Sequence, residues 1–65
     1  MVLIINGERR ETGATRIGVL LAELEFAGKQ LAIAVNRGVV PRARWGDVEL
    51  RDGDMIEIIS PRQGG

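Results

Sequence analysis

A chain of 65 residues has room for one domain and one thin core, near the lower limit for folding without disulfides, metal or a partner. Nine basic and nine acidic side chains cancel, leaving no broad field to recruit nucleic acid or an anionic membrane. Cysteine and histidine are absent, which removes disulfides, Cys/His zinc sites, thiol nucleophiles and the usual general base, so neither a metal site nor side-chain catalysis is expected.

The chain opens on "MVLIINGERRET". Met1 to Ile5 is an apolar run of β-formers, far too short for a signal-peptide core or a membrane span, so a cytoplasmic protein is expected. Asn6-Gly7 favours the left-handed backbone of a tight turn, and strand, turn, strand follows. In "TRIGVLLAELEFAGK" the period changes: Ile17, Leu20, Leu21 and Leu24 fall at i, i+3, i+4 and i+7, one stripe of a helix. Thr15 is placed to cap its start and Gly28 to end it in a left-handed C-cap. Gly18 weakens the first turn by roughly 1 kcal/mol relative to Ala, which implies either close packing or simple tolerance.

Leu31 to Asn36 reads as a third strand, with Leu31, Ile33 and Val35 on one face and the small Ala32 and Ala34 on the other. Arg37-Gly38 is the next turn signal. Pro41 cannot donate into a central ladder, so "VVPRARWGDVEL" is expected to hold a short edge strand or an irregular crossover. Asp52-Gly53 precedes a last strand, Met55 to Ile59, which Pro61 terminates. Arg37, Arg42 and Arg44 near Trp45 read as a solvated loop around a packing indole, with no nucleic-acid role. Asp52 and Asp54 flank a turn glycine and read as turn formers, not calcium ligands.

One amphipathic helix must bury its stripe on one face of a sheet, which gives an α+β roll. The position of the helix between the first hairpin and the later strands is that of the ubiquitin-like β-grasp, a mixed sheet packed on one helix. The first and last strands are then a central parallel pair. Leu3, Ile5, Ile56 and Ile58 would meet the helix, and Val2, Ile4, Met55 and Ile59 would face outward. An apolar outer face is either a partner surface or a consequence of high β-propensity in central strands.

The chain closes on "ISPRQGG", a proline, an arginine and two glycines attached to an apolar strand. Residues 1–60 are expected to form the β-grasp domain and 61–65 a flexible tail. Pro61 keeps the exit extended. Arg62 is a candidate to pair with an acidic groove on a partner, and Gln63 to hydrogen-bond with it.

Taken together, the "IING" opening, "AVN" followed by "VVPRARW", "DGDMIEII" and the terminal "RQGG" resemble the ThiS family of sulfur carrier proteins of thiamine biosynthesis, over essentially the whole chain. The most specific pieces are Val35-Asn36, Val40-Pro41-Arg42 with Trp45, and Gly64-Gly65. The resemblance implies that the carboxylate of Gly65 is the reacting group. An E1-like, ThiF-like partner would adenylate it with ATP, and it would become a thiocarboxylate. A sulfur donor such as a cysteine desulfurase would supply the sulfur, and a ThiG-like thiazole synthase would receive it. No cofactor would be bound by the chain itself; ATP is consumed by the partner. Gly64 lets the tip pass a narrow channel that a Cβ would obstruct. The candidate partner-binding residues are Gly64, Gln63, Arg62, Ile59, Ile4 and Met55. The nearest alternative is a MoaD-like small subunit of molybdopterin synthase, and one of another class is a non-catalytic β-grasp binding module.

Overall fold

The computed structural model describes residues 1–26 and 30–60. Strands β1 (Val2–Ile5) and β2 (Glu8–Glu11) form an antiparallel hairpin, followed by helix α1 (Ile17–Glu23). Strands β3 (Ala32–Val35) and β4 (Gly38–Val40), a 3₁₀ turn at Arg42–Arg44 and strand β5 (Met55–Ile59) complete the order. The sheet runs β2-β1-β5-β3-β4, with β1 and β5 parallel at its centre and the remaining pairs antiparallel. This is the mixed β-grasp sheet expected from the pattern of apolar residues.

Both hairpins turn through two left-handed residues, the backbone whose twist matches that of the flanking strands. Asn6 and Gly7 have φ of 51° and 86°. In the second hairpin the pair is Asn36 and Arg37, at φ 50° and 74°. The turn therefore lies one residue earlier than Arg37-Gly38. Gly38 opens β4 instead, and Arg37 carries the steric cost of the left-handed region.

Thr15 does not cap α1. The N-cap is Arg16, in extended conformation and without a side-chain cap, because this segment is drawn into pairing with the loop before β5. The Leu50 N–H donates to the Thr15 carbonyl at 2.8 Å, Arg16 bridges Glu49, and their side chains approach to 3.9 Å. Nor does the helix extend to Gly28, which lies outside the described residues. It stops at Glu23 and closes in a Schellman motif: Phe26 N–H donates to Leu21 C=O at 2.7 Å and Glu25 N–H to Ala22 C=O at 3.1 Å. Glu25 occupies the left-handed position at φ 64°, where glycine is usual.

The helical stripe buries Ile17, Leu20 and Leu21 against Leu3, Ile33 and Ile56 of the three inner strands. Burial of each of these side chains contributes about 2 kcal/mol. Ile5, Leu24 and Ile58 pack at the margin of the same core, so the inward set matches the expected alternation. A Cβ at Gly18 would meet nothing within 4 Å, which decides for tolerance over close packing. Trp45 is buried, its indole N–H donates to Val40 C=O at 2.9 Å, and the Arg42 guanidinium lies 5.0 Å over its ring. The proline-containing crossover thus folds around an indole that belongs to the core. Among the described residues no helix is long and apolar enough to cross a membrane.

Candidate functional site

Strand β5 leads to Ser60, and its outward side chains are those expected to face a partner. It is held from both sides. On one side Ile4 pairs with Met55 and Ile5 with Ile56; on the other Ala32 pairs with Ile59, Ala34 with Glu57 and Val35 with Ile56. Two asparagine side chains add to these ladders. Asn6 Oδ1 accepts the Ile58 N–H at 2.9 Å while its Nδ2 donates to Ile58 C=O at 3.3 Å. Asn36 Oδ1 accepts the Met55 N–H at 3.0 Å. The sequence pattern identified Asn6 as a turn former and Asn36 as part of a family signature. The side-chain bonds to β5 were missed because they span 52 and 19 positions, with no local signal.

The outer face carries Val2 and Ile4, both half-buried, and the exposed Met55 and Ile59. Ile4 and Met55 are direct cross-strand neighbours, so two of the expected contact residues are brought together. Ile59 stands two rungs further along β5, with Glu57 between it and Met55 on the same face. Ala32 and the exposed Val39 extend the apolar area across β3 and β4, to either side of the buried Ala34, and Arg9 and Glu11 of β2 bound it beside Ile4 and Val2. The patch is apolar along β1 and β5, crossed by one carboxylate and edged by charge. Such a surface suits a partner that supplies both apolar and charged contacts. Arg62, Gln63, Gly64 and Gly65, with Pro61, lie outside the described residues.

The acidic turn residues are occupied by the chain's own donors. Asp52 Oδ1 accepts the Val2 N–H at 2.7 Å, and Asp54 accepts Arg51 N–H at 2.8 Å and Asn36 Nδ2 at 3.1 Å. Among the described residues no group of three or more potential metal ligands is brought together. Arg44 pairs with Asp47 at 3.4 Å and Arg42 stacks on Trp45, which accounts for two of the arginines as local structure.

The family model described as "ThiS family" matches residues 2–65. The sulfur carrier protein ThiS of Escherichia coli (strain K12) is 29 % identical over 66 residues, a match covering 100 % of both chains. A thiazole synthase of Paramagnetospirillum magneticum is 36 % identical over 66 residues, and this chain spans 20 % of that protein's length. Among solved structures, a thiamine biosynthesis protein (ThiS) from Geobacter metallireducens superposes with a TM-score of 0.86 at 28 % identity, covering 100 % of each chain.

Proposed function

The chain belongs to the ThiS family, and from that premise we propose that it is a sulfur carrier for thiamine biosynthesis, a co-substrate and not a catalyst. The reacting group is the carboxylate of Gly65. One of its oxygens attacks the α-phosphate of ATP in an E1-like adenylating enzyme, and pyrophosphate leaves. In the resulting acyl adenylate the carbonyl carries a good leaving group, AMP, which a sulfur nucleophile from a donor such as a cysteine desulfurase displaces. A donor persulfide thereby leaves an acyl disulfide, whose S–S bond a thiol cleaves, ending as a disulfide with the donor thiol and releasing the thiocarboxylate. This is a softer, more nucleophilic anion than the carboxylate, and gives its sulfur to a thiazole synthase.

The observation that carries this reading is that the family match runs through residue 65 and so takes in Gly64-Gly65. The chain's lack of cysteine and histidine agrees with it: a carrier whose sulfur rides on a terminal carboxyl needs no thiol, and the nucleotide chemistry resides in the partner. The exposed Met55 and Ile59, on the strand that leads toward the tail, offer a surface for docking while Gly65 reacts. The thiazole synthase as recipient is supported by the 36 % identity to a segment of a protein of that name.

Extension of the chain by one alanine beyond Gly65 tests the proposal. Adenylation by a ThiF-like enzyme, followed as ATP–pyrophosphate exchange, is lost in the extended chain while its fold and melting temperature are retained. Undiminished exchange in the extended chain rules out the Gly65 carboxylate as the acceptor.

A further inference from the structure

We infer that Asn6 is a positioning residue for the reacting terminus: its side-chain amide acts as an extra rung of the sheet and holds the end of β5, the strand that leads toward Gly65, from the β1 side as β3 holds it from the other. The inference rests on the carrier reading above. The β1 backbone accompanies β5 as far as Asn6, whose N–H donates to Ile56 C=O at 2.9 Å. At Asn6 the chain enters the left-handed region, φ 51°, and turns away into β2. The next residue of β5 to direct its N–H and C=O toward β1 is Ile58. The Asn6 side chain meets both groups, accepting at 2.9 Å and donating at 3.3 Å, as a strand residue would.

A turn former alone need not be asparagine. Glycine reaches φ 51° without strain and aspartate tolerates it. Of these three only asparagine presents a donor and an acceptor together, on the two arms of its carboxamide; aspartate offers acceptors alone and glycine neither. The carboxamide therefore serves β5 rather than the turn. Ile58 stands seven residues before Gly65, and each residue that frays from the end of β5 adds about 3.3–3.6 Å of reach together with entropy that must be surrendered on binding. With Asn6 in place the end of β5 is held from both sides, Ile58 by the carboxamide and Ile59 by its pairing with Ala32. Without it, Ile58 and Ile59 are held by β3 alone.

The test uses the full chain, unaltered and as Asn6→Gly and Asn6→Asp, both of which keep the turn accessible. Amide exchange at Ile56 and Ile58 is followed by NMR, and adenylation of Gly65 by a ThiF-like enzyme with ATP is measured at steady state. In Asn6→Gly the Ile58 amide exchanges about tenfold faster while Ile56 keeps its protection, and KM for the carrier rises about fivefold with kcat within about twofold. Asn6→Asp sets a carboxylate against Ile58 C=O and raises KM at least as far. An unchanged KM in both variants overturns the positioning role and leaves the carrier reading standing, as does loss of Ile56 protection in step with Ile58, which marks general destabilisation. No adenylation of the unaltered chain, by an enzyme active on another carrier, overturns both.

Discussion

Asn36 and Met55 are joined twice: the Asn36 N–H donates to Met55 C=O at 2.7 Å, and Asn36 Oδ1 accepts the Met55 N–H at 3.0 Å. The side chain thereby prolongs the β3–β5 ladder past the point where β3 turns into its hairpin, and its Nδ2 also holds Asp54. Asn36→Ala forfeits both side-chain bonds and leaves its Cβ at φ 50° without the polar side chain that makes this conformation tolerable, at a cost of about 2 kcal/mol. Asn36→Gly loses the bonds but relieves the backbone, and costs about half as much. Urea midpoints of the two variants check the order; equal losses would mean that the backbone conformation contributes nothing.

Glu25 occupies the left-handed residue of the Schellman motif at φ 64°. Glu25→Gly removes that steric cost while leaving the bonds from Phe26 and Glu25 to the last turn in place, and raises stability by about 1 kcal/mol. In a domain of this size the gain appears as a melting temperature about 4–8 °C higher.

Gly18 and Gly53 respond in opposite directions to the same change. Gly18→Ala places a methyl group in open space on a helix and stabilises by about 1 kcal/mol. Gly53→Ala also meets no neighbouring atom, yet its φ of 88° is one that a side chain rarely adopts, and it destabilises by about 1–2 kcal/mol. Thermal melts of the two variants separate conformational strain from steric clash.

The exposed residues of the outer face separate docking from folding. Ile59→Glu changes stability by less than about 1 kcal/mol because the side chain is 55 % exposed. It raises the KM of the adenylating enzyme for the carrier by about tenfold if that face is the docking surface. Val19→Glu, on the exposed side of the helix, serves as the control and leaves KM unchanged.

The core was legible because two periods are written plainly in the chain. Ile17, Leu20 and Leu21 mark one helical stripe, and Leu3, Ile5, Ile56 and Ile58 mark the inner face of two strands; these are the residues that pack together. Local signals failed where tertiary pairing competed with them. Thr15 has the side chain of a helix cap, but its carbonyl is engaged by Leu50, and the helix begins one residue later with Arg16 as its N-cap. A glycine attracted the second turn to Arg37-Gly38, although Asn36 was the better left-handed residue and Gly38 pairs with Val35. Of the residues on the outer face, Ile4, Met55 and Ile59 followed from strand alternation alone. The clamps formed by Asn6 and Asn36 join residues far apart in sequence, and no periodicity announces them.

The central claim concerns one atom. The chain is incubated with ATP, a ThiF-like adenylating enzyme, a persulfide donor and a thiol reductant, and intact and fragment mass spectra are recorded. Fragmentation is required because exchange of oxygen for sulfur adds nearly the same mass as oxidation of Met1 or Met55. The carrier account predicts a sulfur-for-oxygen exchange confined to Gly65. An unmodified Gly65, with the same enzymes charging another carrier in parallel, would contradict it.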